Sequence, residues 1–339
     1  MKRCSPDDTS PPQSPIFKSK RRENLRKGTE LDSPREVSLL SVSGESEKEC
    51  EKQSEEPKLL GLQTSNPHHD QQSGGVRLTR LSSLSGDRVL SLGCPLLSSA
   101  LQGGLRAGEL TELVGESSAG KTQFSLQAAL EAALRGETVL YIVTEGAFPS
   151  ARLDQMVTAR EAEEARDRIL VKQARSLSHL LVVLGEEVRE VVGEHPGTSL
   201  VIVDSVASLV RSEGELRTGL ERVSVIHKLG QTLLQLTTVL GVAVVAVNQV
   251  TARLGGERDV WGRDQVASLG HSWAQYPNTR LWLTKTSYVI KRTACQELQG
   301  LTAETRLRTM NVDWSCRLAN SETYFYVDSS GCHGIKIED

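Results

Sequence analysis

Four short runs of mostly apolar residues punctuate the chain, at 110–114 (LTELV), 139–143 (VLYIV), 200–203 (LVIV) and 242–247 (VAVVAV). The last three are rich in β-branched residues and show no polar alternation, the pattern of strands buried on both faces of a parallel sheet. Helical patterns alternate with them. In 122–135, Leu126, Leu130, Ala133 and Leu134 share one face, and Gly136 stands where a helix stop belongs. Residues 178–192 and 220–240 are predicted to supply further helices. Strand–helix alternation predicts an α/β fold with a mostly parallel central sheet and ligands at the carboxyl ends of its strands.

Residues 1–75 carry no such pattern. Rich in Ser, Pro, Glu, Lys and Gln, they bury too little apolar surface to offset the entropy of ordering, so a disordered tail is expected, with the globular core over 76–339. Four Ser-Pro dipeptides begin at Ser5, Ser10, Ser14 and Ser33; they read either as proline-directed phosphorylation sites or as ordinary features of a solvated tail. Lys18, Lys20, Arg21 and Arg22 read either as a nuclear import signal or as a solvated charge run.

Composition narrows the class. With 339 residues, 38% hydrophobic and 24% charged, the chain is long enough for one large core plus extra segments. A net charge of −3 gives no global basic field, so any nucleic-acid contact must come from local patches. The six cysteines form no C-x-x-C pair and none is spaced with His68 or His69 as a metal site would be, which reads as reduced thiols without structural zinc. The N-terminus is charged, and the apolar runs are far too short to span a bilayer. A soluble protein of the nucleus or cytosol is expected, with no membrane partner.

The chemistry concentrates at the ends of the predicted strands. Gly115-Glu116-Ser117-Ser118-Ala119-Gly120-Lys121-Thr122 (GESSAGKT), followed by Gln123, joins the first run to a helix. A glycine-rich turn in that place aims backbone N–H groups at one anion, and the helix N-terminus adds partial positive charge. Lys121 then reaches the β- and γ-phosphates of a nucleotide and Thr122 ligates Mg²⁺. Asp204 ends the run at 200–203, where a carboxylate either anchors the metal or caps the next turn. Glu145 follows the run at 139–143 and reads as a base for an attacking water or as a plain loop carboxylate. Asn248 and Gln249 follow the last run, where an amide at a strand tip can report a γ-phosphate to the segment behind it.

Taken in order, GESSAGKTQ, YIVTEGAFPSARL (141–153), LVIVDSVASLVR (200–211) and GVAVVAVNQV (241–250) resemble the RecA-type recombinase superfamily in its eukaryotic branch. Within that branch, LSLGCPLLSSALQGGL (90–105) is similar to the recombinase paralogues. The resemblance implies a RecA-like P-loop ATPase core using ATP and Mg²⁺. Lys121 and Thr122 would bind phosphate and metal, Asp204 would hold the metal, Glu145 would polarise water, and Gln249 would couple the nucleotide to residues 251–267. In this superfamily that segment is a mobile DNA-contacting loop; here it carries Arg253, Arg258 and Arg263, offset by Glu257, Asp259 and Asp264. A plain solvated loop is the other reading. Implied partners are another recombinase paralogue, the strand-exchange recombinase and single-stranded or branched DNA, in the nucleus.

The sequence also departs from the family pattern. The Phe-x-x-Ala linker is missing, since Phe17 is followed at that spacing by Lys20, and an Asp-Ser-Pro cap segment is replaced by Trp314-Ser315-Cys316, with Asp313 displaced by one position. Three functions follow as alternatives: a slow, DNA-stimulated ATPase of recombination repair, a nucleotide-stabilised interaction subunit, or a hexameric motor. The motif order after the loop fits the recombinases better than the motor.

Overall fold

The computed structural model describes residues 36–37, 88–212, 218–253, 255, 258–291 and 304–336. After a short strand β1 (Glu36–Val37), the chain forms β2 (Val89–Leu90), α1 (Pro95–Ala100) and β3 (Leu105–Arg106), with β2 and β3 paired. The central part runs β4 (Leu110–Gly115), α2 (Lys121–Leu134), β5 (Thr138–Val143), α3 (Ser150–Ala159) and β6 (Ile169–Gln173). It continues through α4 (Leu177–Val182), α5 (Val188–Glu194), β7 (Thr198–Asp204), α6 (Val206–Ser212), α7 (Gly219–Leu240) and β8 (Ala243–Asn248). The C-terminal part holds β9 (Val250–Ala252), β10 (Gln265–Ala267), α8 (Gly270–Ala274), β11 (Thr279–Lys291), β12 (Glu304–Ser315), β13 (Ser321–Val327) and β14 (Cys332–Ile335).

A ten-stranded sheet organises these elements in the order β14-β13-β12-β11-β4-β8-β7-β5-β6, with β1 pairing β11 off that path. From β11 to β6 every pairing is parallel. Alternation within each strand explains the unbroken apolar runs. Tyr141, Ile202 and Val245 face one core, with α2 and α3, while Leu140, Val203 and Val244 face a second, under α5, α6 and α7. Each fully buried side chain of this kind contributes about 1.5–3 kcal/mol. The α/β architecture expected from the sequence is therefore the one observed.

Helix ends follow local chemistry. Thr218 and Glu221 form a reciprocal capping box at the start of α7, and Gly241 closes it at φ 65°. Two expectations need correction, and one part of the fold was unforeseen. Leu134 is 47% exposed, whereas Ser125 and Gln127 are buried, because β2, β14 and a 3₁₀ turn (Glu163–Arg168) cover α2 on the side away from the sheet. The helix expected over 178–192 is divided by a π turn at Val183–Glu187. The antiparallel β11–β14 meander was not foreseen, since its strands carry polar residues on one face and lack the continuous runs of the parallel set.

The tail expected over 1–75, with its Ser-Pro dipeptides and basic cluster, lies outside the described residues except for β1. The partners of that strand, Val289 and Ile290, lie beyond the stretch of β11 that pairs with β4, so the strand edge there is open to an extended segment.

Candidate functional site

β4 carries the glycine-rich turn to the carboxyl edge of the sheet. Gly115 has to be glycine, because a Cβ there would lie 2.4 Å from the Leu283 carbonyl oxygen on neighbouring β11. Gly120 sits at φ 108°, a left-handed conformation that opens α2 and favours glycine. The turn borders a cavity of about 1030 Å³ lined by Gly115, Ser117, Ser118, Gly120, Lys121, Thr122 and Gln123. Two of the nine predicted cradle residues lie off its wall. Ala119 is buried beneath the turn, and the Glu116 carboxylate faces Lys285 at 3.5 Å.

The strand ends bring the other predicted groups to the same cavity. Asp204 closes β7, and its carboxylate accepts hydrogen bonds from Thr122 Oγ1 at 3.1 Å and Tyr141 Oη at 2.8 Å. Glu145 lies two residues beyond β5 and Gln249 one residue beyond β8; Gln249 Nε2 donates to Glu145 Oε2 at 3.1 Å. Lys121 Nζ folds back onto its own loop, donating to the carbonyls of Gly115 at 2.7 Å and Glu116 at 2.8 Å.

These charges are incompletely compensated. Burial lowers the Lys121 ammonium below its usual value, against the attraction of Asp204 and Glu116. Burial likewise raises the Asp204 carboxyl, although hydrogen bonds from Tyr141 and Thr122 and the nearby Lys121 oppose it. Burial and Asp204 together push the Tyr141 phenol well above its ordinary range. A cation beside Asp204 and an anion before Lys121 would relieve both costs, and the backbone cradle suits a phosphate. The donor set thus fits a nucleotide triphosphate with a hard divalent cation.

Sequence reasoning missed several lining residues. Arg152 on α3 reaches the cavity and donates to Gln123 Oε1 at 2.5 Å and to the Asp328 carbonyl at 2.5 Å. Arg308 on β12 lines it from the other side with its Nε buried and unpartnered, and burial lowers its guanidinium. Beneath the site, the fully buried Glu112 of β4 accepts from Asn248 Nδ2 at 2.6 Å, Trp273 Nε1 at 2.8 Å and Arg280 Nε at 2.6 Å. TEGAFPSARL contains Arg152, so position in that motif was the available signal; Glu112 and Arg308 acquire their surroundings only through tertiary contacts.

The three arginines at 251–267 lie apart from the cavity and are unlike one another. At the two ends of the segment β9 and β10 pair antiparallel, so its described part leaves the sheet as a short ribbon. Its root is closed by Asn248, which donates to the Ser268 carbonyl at 2.9 Å and accepts from Gln249 N at 2.8 Å. Arg263 is 10% exposed in its side chain, donates to Asp259 Oδ2 at 2.6 Å, pairs with Asp313 and stacks on Trp282 at 3.9 Å. Asp259 also accepts the backbone N–H groups of Trp261 and Arg263, each at 2.9 Å. Burial would raise its carboxyl, but these hydrogen bonds and the Arg263 guanidinium hold it below the usual carboxylate range. Arg253 is half-buried, Arg258 is exposed, and Glu257 lies outside the described residues.

A RecA-like α/β domain is what this sheet order and strand-end geometry define. A family model described as Rad51 matches residues 88–333, and the chain belongs to the Rad51 family. It is 28% identical over 291 residues to a DNA repair protein XRCC3 homolog of Arabidopsis thaliana, covering 74% of this chain and 94% of that protein. It is 30% identical over 271 residues to DNA repair protein XRCC3 of Mus musculus, covering 73% and 75% respectively. Identity to DNA repair protein RAD51 homolog 4 of Mus musculus is 35% over 211 residues, 58% of this chain and 61% of that one.

Proposed function

We propose that this chain is an ATP-binding, slowly hydrolysing factor of DNA recombination and repair that works beside a strand-exchange recombinase and another paralogue on single-stranded or branched DNA in the nucleus. The observation that carries this reading is the convergence of Lys121, Thr122, Asp204, Glu145 and Gln249 on one cavity from three strand ends and one helix start. Family membership and relatives named for DNA repair support it.

Within this reading, the backbone of 115–121 and Lys121 hold the phosphates, with Arg152 and Arg308 on the cavity's flanks. Thr122 and Asp204 hold Mg²⁺, which supplies charge neutralisation to the phosphates when bound. Lys121 exchanges two carbonyl acceptors for phosphate oxygens. Glu145 orients a water and accepts its proton, and Gln249 connects the γ-phosphate position to the ribbon root. Because Arg263 is paired twice inside the chain, a second reading also has support: a nucleotide-stabilised assembly subunit in which a partner holds most of the DNA.

Turnover decides between them. Purified protein is assayed for nucleotide binding and ATP hydrolysis with and without single-stranded DNA, with Lys121→Ala as blank. Glu145→Gln should bind ATP as wild type does and lose hydrolysis. DNA-stimulated hydrolysis absent from both variants supports the ATPase reading; binding without turnover supports the assembly subunit. Binding retained by Lys121→Ala removes the phosphate-loop assignment.

A further inference from the structure

Gln249 makes two side-chain contacts, and only one of them faces the nucleotide cavity. Its Nε2 donates to Glu145 Oε2 at 3.1 Å, while its Oε1 accepts from the Arg211 guanidinium in the last turn of α6. The three side chains come from the end of α6 and from the segments following β8 and β5, and form a line of guanidinium, amide and carboxylate. Their order has a strict logic. A guanidinium only donates and an ionised carboxylate only accepts, whereas a primary amide has one end of each kind. One orientation of the amide satisfies both neighbours. The flipped one sets its oxygen against a carboxylate and its NH₂ against a guanidinium. Glu145 alone cannot fix that choice firmly, because it is exposed at the tip of a turn and shares its charge with water.

We infer that Arg211 is a positioning residue that holds the Gln249 amide with its donor end turned toward the nucleotide cavity. This rests on the proposed nucleotide reading. The NH₂ that meets Glu145 in the free protein is the group an arriving γ-phosphate would compete for, and Arg211 keeps it available by occupying the other end. A charged donor to the amide oxygen also polarises the amide and strengthens its N–H donors. Arg211 touches neither Lys121 nor the phosphate turn among its described contacts, so its effect is on alignment and not on nucleotide capture. It is exposed at a helix end, and replacing it leaves the core intact.

The test uses the full ¹⁵N-labelled chain. Gln249 side-chain NH₂ signals are assigned by their loss in Gln249→Ala, then followed in Arg211→Met and Arg211→Lys without nucleotide and with a non-hydrolysable ATP analogue. Wild type and Arg211→Lys should show two well-separated, exchange-protected NH₂ signals that move when the analogue binds. In Arg211→Met they should collapse toward those of an exposed glutamine and lose most of that response. Analogue affinity should change less than about threefold in Arg211→Met, while turnover, where wild type has it, falls about tenfold at unchanged KM and recovers in Arg211→Lys. Gln249 signals in Arg211→Met that match wild type overturn the inference. Absence of analogue binding to wild type overturns the nucleotide reading instead, with the nucleotide-free spectra still deciding whether Arg211 orients the amide.

Discussion

The cavity beside the glycine-rich turn and the described part of the 250–267 ribbon both gather charged side chains at the carboxyl edge of one sheet, but they pair those charges differently. In the cavity, Lys121 falls back on carbonyls of its own loop, the Asp204 carboxyl is raised by burial, and Arg308 has a buried nitrogen without a partner. In the ribbon, Arg263 meets two carboxylates and an indole face, and Asp259 is held below the ordinary carboxylate range. In the first region neither Lys121 nor Asp204 makes an ion pair among the described residues. The second pairs its most buried guanidinium with two carboxylates, although Arg263 Nη1 and Arg253 Nε are, like Arg308 Nε, buried without a partner. A charged residue in a binding protein is therefore better judged by what it lacks than by its sign.

The largest test of this contrast is Lys121→Ala. The variant should keep its far-ultraviolet circular dichroism and lose nucleotide affinity by at least about a hundredfold, as expected when a charge-assisted phosphate contact is removed. Comparable affinities in fluorescence titration would show that the cavity's incompleteness has another cause. Arg263→Ala comes next. Its loss strands Asp259 and Asp313 and uncovers Trp282, so a cost of about 2 kcal/mol is expected, read as a lower melting temperature and faster amide exchange across 250–267. Exchange at wild-type rates would make the ribbon independent of that clamp.

Asp204→Asn should act in the other direction. A carboxyl raised by burial is more stable protonated in the folded state than in the unfolded one, so its ionisation costs stability as pH rises through the raised value. At neutral pH the amide variant should melt a few degrees above wild type while losing Mg²⁺-dependent nucleotide binding. The gap should narrow as pH is lowered from 7 toward the ordinary carboxyl value of 3.8. Scanning calorimetry across that range checks it, and a variant less stable than wild type throughout would show that hydrogen bonds to Tyr141 and Thr122 outweigh the burial cost.

The same contrast explains what could be read before the fold was known. Strand-end residues such as Glu145, Asp204 and Gln249 are legible because a parallel sheet places every strand tip on one edge, so position after an apolar run fixes their neighbourhood. The glycine-rich turn between β4 and α2 is legible because its geometry is local. Arg308 and Glu112 were not, since Arg308 reaches the cavity only through the register of β12 on β11, and Glu112 owes its role to Asn248, Trp273 and Arg280, all distant in sequence. Nor was the difference among the three ribbon arginines. Counting Glu257, Asp259 and Asp264 suggested near-neutrality, but composition could not say that one pair, Asp259 with Arg263, would close on itself and fix the turn.

The smallest effect belongs to Arg258, and it separates the ribbon's structural charges from any that meet DNA. Arg258 is exposed on the ribbon, whereas Arg263 is committed to Asp259 and Asp313. Arg258→Ala should leave the melting temperature within experimental scatter, because an exposed side chain without a buried partner contributes little to stability. If the guanidinium meets a phosphate, the slope of log K against log salt for single-stranded DNA should become shallower by about 0.7, the value for one lost contact. Arg253→Ala should give the same or a smaller change, its side chain being half-buried. The comparison is made on the isolated protein and again with a partner paralogue bound, since a weak contact gains weight when the complex already holds the strand. Arg263→Lys serves as the counterpart: it keeps the charge but not the planar fork that spans two carboxylates, so it should lower stability without an independent change in slope. Identical slopes for wild type and Arg258→Ala in both settings would leave the ribbon as a structural element and shift the DNA contact to the partner, as the assembly-subunit reading requires.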